Sequence, residues 1–434
     1  MKSLAERLNS SIPDQPRRRV LFLVEGFTDI RFVTALSEVC ELTIAVPSKH
    51  FHESGLDRRL KESAAKVSVV EIQGNRFTFQ AICTAYLWRN ARNFEAILSQ
   101  ELLRGSLSAS IVGVLQGVPV AAYMCLAPLD YFRCRRERRE IGLIRWLTGT
   151  AVIGTLMTVN GRLVSRCIAL GPYLSTIAGR YCARVERGLY YGVDTQLYRP
   201  CSQLEQRQIR RRLGLPENKF VVFLSSRISH EKDPETVLRA VALARTKGLD
   251  AVVLNLSGGY QQFLNLAHGL LSSDVSDWVI ARPAVHPMRD LPDYYRAADC
   301  VAQASLAEGL GMSPLEALAS GVPSVCTAVG GLDANLRGHA RLIPRCDPEA
   351  MSRELLWVAA HPEESRQQAL AGRKYVVNQW SKTEAIAALA QVIDHLSGLR
   401  RPKPSLVLRQ SPDRGMAGPK DGRSILPRER DSQD

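Results

Sequence analysis

Short apolar runs alternate with longer stretches in which apolar residues recur every three or four positions, and this alternation repeats along most of the 434-residue chain. Val20 to Val24 reads as a buried strand, with Leu42 to Val46 and Val67 to Ile72 as the next two. Asp29 to Glu38 has helical spacing, and Phe79 to Leu103 reads as one longer helical stretch with a break near Arg92. Val118 to Cys125 and Arg166 to Leu170 read as further strands. Gly192-Val193-Asp194 and Tyr198-Arg199-Pro200 then give a turn and linker. A second series follows, with strands at Phe220 to Ser225, Ala251 to Ser257, Trp278 to Ala281, Cys300 to Ala304 and Ser324 to Ala328. Its helices include Pro234 to Thr246 and Pro314 to Ser320, and the chain is helical from Pro348 to about Leu396. Strand–helix alternation of this kind predicts parallel sheets covered by helices on both faces. The fold class expected is α/β, with two Rossmann-like, doubly wound domains. Their bounds are 1–195 and 196–380, followed by a terminal helix over 381–398 and, over 399–434, a disordered basic tail rich in Pro, Gly, Arg and Ser.

Composition narrows the picture only a little. A 45% hydrophobic and 23% charged chain of this length is that of a globular two-domain protein. A net charge of +14 implies an anionic partner: nucleotide phosphates, lipid headgroups, acidic glycans or nucleic acid. Ten cysteines occur singly from Cys40 to Cys346 with no C-x-x-C spacing, which suits reduced, buried thiols rather than disulfides or a zinc site. Residues 1–19 are polar and lack the apolar core of a signal peptide. Trp146 to Met157 is too short to span a bilayer, and Arg162 and Arg166 soon follow. A cytoplasmic placement, with any membrane contact peripheral and at the inner face, is the expectation.

The chemistry concentrates between Ala304 and Val325. A strand ends, a Gly-containing loop follows, and a helix begins with Ser313 as expected N-cap, Pro314 at the first helical position and Gly321 past the end. Strand, Gly-rich loop and helix N-terminus together present amides and a positive dipole end to a phosphate. Glu308 and Glu316 frame the segment. Ser313-x-x-Glu316 also fits a capping box, and Glu308 also suits an ordinary loop carboxylate, so these residues alone leave both readings open.

The full string resembles the GT-B glycosyltransferases of the retaining "group 1" type, whose C-terminal domain carries S-x-x-E-G-x-G-x-x-x-x-E-A-x-A-x-G-x-P. Ser305, Glu308, Gly309, Gly311, Glu316, Ala317, Ala319, Gly321 and Pro323 match it. The resemblance implies two domains facing a cleft, a nucleoside-diphosphate sugar as donor substrate with no cofactor, and transfer to an acceptor hydroxyl with retention. It assigns donor-sugar hydroxyls to Glu308 and the nucleotide ribose to Glu316, with Gly309, Gly311, Met312 and Ser313 in the same donor site. Tyr191 to Pro200 is similar to the family's interdomain G-V-D-x-x-x-F-x-P. The segment Leu224 to Pro234 is similar to its G-R-L-x-x-x-K-G, which implies that Arg227 and Lys232 hold the diphosphate and act in catalysis. Ser226 and Asp233 stand where the family has glycine, and Asp233 is expected to cap the helix at Pro234 instead. Gly330 and Gly331 match a donor-contacting loop, and the stretch from Trp380 to Leu396 is similar to terminal helices that pack back on the N-terminal domain.

Before Tyr191 the resemblance is looser. Gly26 alone stands for the family's glycine pair after the first strand, and is equally an ordinary turn glycine. Met124 to Phe132 occupies the place of the family's sugar-facing His and contains none. Tyr131 to Arg139 is the densest basic run, open to a solvated helical face or to an anionic or lipid-linked acceptor at a membrane, with no nucleic-acid motif beside it. Expected partners are therefore the nucleotide-sugar donor, a glycan, glycolipid or small-molecule acceptor, and a membrane surface, with no nucleic acid. No D-x-D occurs, so no metal is expected. An NAD-dependent oxidoreductase lacks its G-x-G-x-x-G here; a sugar-nucleotide epimerase and a non-catalytic glycan- or nucleotide-binding protein on the same fold are the other readings.

Overall fold

The computed structural model describes residues 17–26, 28–63, 65–74, 78–271 and 274–400; the tail expected over 399–434 therefore lies almost wholly outside the described residues. Seven parallel strands form the first sheet in the order β3-β2-β1-β4-β5-β6-β7. They are β1 Arg19–Leu23, β2 Glu41–Pro47, β3 Val67–Ile72, β4 Ala96–Gln100, β5 Val120–Met124, β6 Arg166–Leu170 and β7 Val185–Gly188. Six more, β8 Phe220–Leu224, β9 Ala251–Leu256, β10 Val279–Arg282, β11 Cys300–Gln303, β12 Ser324–Thr327 and β13 Arg341–Ile343, form a second parallel sheet in the order β10-β9-β8-β11-β12-β13. The continuous apolar runs are what such central strands require, since both faces are covered: Val20 to Leu23 and Val221 to Leu224 are fully buried.

The stretch Phe79 to Leu103 is not one helix. Its helix ends at Asn90, a single 3-10 turn covers Ala91–Asn93, and β4 follows, lying between β1 and β5 at the centre of the sheet. An unbroken apolar run such as Ala96-Ile97-Leu98 carries no period, and only the sheet's demand for a strand beside β1 decides it. The edge strands β7 and β13 also escaped the sequence pattern. Each is short and only partly buried, so each lacks the apolar run that marks the central strands.

Both crossings between the sheets run side by side. Val193 donates its N–H to the Trp380 carbonyl at 2.7 Å and accepts from Lys382 at 2.8 Å. Gly192 has φ 64°, and a Cβ there would collide with the Ser381 carbonyl, so only glycine allows this approach. The helix Lys382–Gly398, capped by Ser381, returns to pack on the helix Ile30–Val39 of the first sheet. Trp380 is fully buried at the junction, its ring against Gly171. The carboxyl ends of the two sheets meet across this junction: a Cβ on Gly309, after β11, would lie 2.5 Å from the Cys125 carbonyl, after β5.

One buried acid sits at this edge. Glu101 ends β4 with φ 61° and is 7% exposed. Cys125 donates its backbone N–H to Oε1 at 3.0 Å and its thiol at 2.7 Å, while Oε2 has no partner among the described residues. Burial pushes this carboxyl up to about 7. The folded chain thus binds the proton more tightly than the unfolded one. The stability this confers is complete below about pH 4.5 and is lost as pH rises to about 7, by about 3 kcal/mol. Glu101→Gln should flatten that decline; urea unfolding at a series of pH values checks it, and parallel profiles for variant and parent would refute the assignment.

Candidate active site

The loop after β11 leads into the helix Met312–Ala319. Gly311, at φ 87°, occupies its N-cap position, and no side chain caps it. Ser313 is therefore not the cap: the left-handed glycine starts the helix two residues early, and the Ser313 hydroxyl instead meets the Tyr295 hydroxyl at 3.0 Å. With no capping side chain and no acid in its first turn, this N-terminus keeps its positive end for an anion.

Nor is Glu316 half of a capping box. It is 3% exposed, and its carboxylate is held from both domains. Arg31 donates to Oε1 at 2.5 Å, Tyr191 to the same oxygen at 3.4 Å, and Tyr295 to Oε2 at 2.8 Å. Burial raises the Glu316 carboxyl above its usual range, against the pull of Arg31 and Tyr295. Arg31 is itself fixed by Asp29 at 2.9 Å and lies 4.3 Å over the Tyr191 ring. Asp29 also caps the helix Ile30–Val39 by accepting from the Arg31 amide. Its burial favours the neutral acid, but Arg31 outweighs that and leaves its pKa lowered.

Glu308 is held by its own domain. Its Oε2 accepts from Lys232 Nζ at 2.5 Å, Gln303 Nε2 at 2.6 Å and Ser305 Oγ at 3.1 Å. Lys232 reaches it from the turn His230–Lys232, which Leu306 secures by donating to the Glu231 carbonyl at 2.8 Å. Arg227 is not part of this cluster: it is 63% exposed and pairs with Glu231 at 2.9 Å. Asp233 stands at the N-cap position of Pro234–Thr246 with φ 45°, yet makes no side-chain cap. Its carboxylate accepts from Arg138 and from the Thr236 hydroxyl, both at 2.6 Å, because a charge-assisted bond to a nearby guanidinium outcompetes a backbone amide.

The glycines divide into two kinds. Gly309, Gly330 and Gly331 let backbones touch: Gly331 donates to the Glu308 carbonyl at 2.8 Å, and a Cβ on any of the three would strike a neighbouring backbone oxygen. Gly26 faces open space, with its amide 3.3 Å from Gln100 Oε1. Met312 is half-buried at the first position of the helix. From the N-terminal side, Tyr131 packs with Leu306 and Ala307. Burial raises its hydroxyl pKa, and the neighbouring Glu308 adds to this.

Sequence reasoning missed Arg31 and passed over Tyr191, Tyr295 and Tyr131 as individuals. Tyr191 and Tyr131 lay in segments already noted; nothing local marked Arg31, whose partner is 285 positions away. Among the described residues no group of three or more His, Cys, Asp or Glu is arranged to hold a metal ion.

Residues 205–375 match the family described as "Glycosyl transferases group 1". A D-inositol 3-phosphate glycosyltransferase of Catenulispora acidiphila is 34% identical over 185 residues, 41% of this chain and 43% of that one. The chain thus matches less than half the length of such a relative. In three dimensions it is similar to Anabaena Alr3699/HepE, solved with UDP and glucose, at a TM-score of 0.70 and 17% identity over 88% of this chain and 100% of that one. Sucrose-phosphate synthase of Thermosynechococcus elongatus superimposes at 0.67, with 14% identity, over 88% of this chain and 100% of that one. Residues 205–375 thus match the group 1 glycosyl transferases, and the chain that carries them has the two-domain GT-B fold.

Proposed function

We propose that this chain transfers a sugar from a nucleoside-diphosphate sugar to an acceptor hydroxyl. The observation that carries the reading is the Lys232–Glu308 pair, set where the Gly-rich loop enters the uncapped N-terminus of Met312–Ala319. A carboxylate that accepts from sugar hydroxyls then sits beside a cation and a dipole end suited to the departing diphosphate. Charge grows on that diphosphate as the glycosidic bond breaks, and Lys232 is already fixed to meet it. Lys232, the helix dipole and Arg31 supply the positive charge, so the proposal requires no metal.

Donor binding on this reading is an exchange of partners. Glu316 is satisfied by Arg31 in the structure; ribose hydroxyls would replace that guanidinium, which then turns to the phosphates. The acceptor hydroxyl attacks from the face the leaving group vacates, giving retention without a protein nucleophile. Arg227, exposed at the rim, serves in catalysis by closing on the diphosphate from the Glu231 side. Gly26, with open space beside it, admits the phosphate from the N-terminal side. The acceptor is not carried over from the inositol-phosphate enzymes, because the shared stretch is under half of either chain.

Equilibrium binding to a panel of nucleoside diphosphates and nucleotide sugars tests the core claim: at least one should bind, and none binding to folded protein would sink it. Lys232→Ala should lower kcat by about 10²–10³ with the fold intact, as loss of one charge-stabilising donor does. Arg31→Ala strands a buried carboxylate and should cost about 3–5 kcal/mol in urea unfolding. Adding Glu316→Gln to it should restore part of that stability, Asp29 still lacking its cation, while donor affinity stays reduced. A double variant no more stable than Arg31→Ala would show that the pair is not coupled.

A further inference from the structure

The helices Phe79–Asn90, Arg104–Gln116 and Leu143–Leu163 pack in succession along one side of the first sheet. None of the three contains an acidic residue, whereas they carry Arg89, Arg104, Arg145 and Arg162. Their outer positions are apolar. Ile144 is 79% exposed, Leu115 64%, Val114 58% and Trp88 56%, with Leu143 and Leu147 each at 53%. A solvated helix ordinarily turns charge outward, and so many exposed apolar side chains on neighbouring helices mark a contact surface. No helix of the described residues is long and apolar enough to cross a membrane.

The basic run lies alongside. Phe132, from the helix Pro128–Glu137, fills the space at Gly149, so the 143–163 helix rests on it. Within the run, Arg135 and Arg138 are engaged by Glu140 and by Asp233. Arg133 and Arg139 are exposed and have no ion-pair partner among the described residues. The charge left over therefore borders the apolar face.

We propose that this face seats the protein on an anionic lipid bilayer, with Leu143, Ile144 and Leu147 entering the headgroup boundary and Arg133, Arg139 and Arg145 meeting lipid phosphates. Charge selects this occupant. A two-fold contact between copies would set an acid-free, Arg-bordered face against itself, bringing like charges together with nothing to neutralise them. A bilayer offers apolar depth and negative charge at once. The same 128–137 helix carries Tyr131 into the cleft, so the cleft opens one helix away from the bilayer. This inference stands whether or not the glycosyl-transfer reading holds.

Flotation of the full chain with vesicles tests it. Phosphatidylcholine mixed with phosphatidylglycerol should retain the protein, phosphatidylcholine alone should not, and retention should fall as salt rises. Ile144→Asp with Leu147→Asp, both exposed, should weaken retention more than about tenfold, while thermal stability and nucleotide binding stay at parental values. Three results would overturn the proposal: no retention of the parent by anionic vesicles, equal retention of the variant, or light scattering that shows a parental dimer becoming a monomer in the variant.

Discussion

A carboxylate removed from water must find cations and hydroxyls or lose its charge, and Glu316 meets that demand across the domain junction. Its partners come from the first helix of the N-terminal domain (Arg31), the linker (Tyr191) and the helix before β11 (Tyr295). Asp29 holds the other edge of the Arg31 guanidinium, so a chain of five polar groups, with two carboxylates sharing one guanidinium, spans both domains. The remaining geometry of the junction is compatible with this closure: Gly309 against Cys125, the paired crossings at Val193 and Lys382, and Trp380 packed between them. A buried pair of this kind contributes modest net stability, since desolvation offsets much of the attraction, but it strongly penalises any arrangement that separates its members. It therefore acts on domain orientation more than on folding.

Much of the fold was legible because burial on both faces of a parallel sheet leaves a plain record. The runs at Val20, Phe220 and Ala251 are apolar but for Asn255 and became central strands within a residue or two of their expected bounds. The failures share a physical cause. β4 is apolar only over Ala96 to Leu98, and it follows a helix so closely that the pattern does not show the change of period. Ser313 looked like a cap because the sequence shows the hydroxyl and not the left-handed backbone of Gly311 that makes it unnecessary. Asp233 looked like a cap because Arg138, which takes its carboxylate, comes from the other domain.

The site shows the same division. Glu308 and Lys232 lie on loops of one domain, 76 positions apart, and the resemblance to the family's motifs reached both. Arg31 belongs to the other domain, and no local feature distinguishes it from the many other arginines of a chain with 57 basic residues. Pairwise contact across a domain junction is a property of the tertiary fold, and a single sequence carries no trace of it. The abundance of arginine also misled: the densest run, Arg133 to Arg139, suggests a single patch, but its members divide between ion pairs and solvent.

That division bears on how the two halves of the chain can vary. On the proposed reading, groups that meet a diphosphate and a ribose face chemistry that every nucleotide sugar shares, and the residues around Glu308 and Glu316 would then be constrained by the donor's invariant part. Across the cleft lie Tyr131, Cys125 and the Glu101 carboxyl beneath it, and on the same reading no common chemistry would constrain them. The Cys125 amide and thiol, both held by the buried Glu101, tie down the backbone after β5. On the proposed reading, a loop held in this way leaves its exposed residues available to differ with the acceptor, as one donor chemistry serving many acceptors requires.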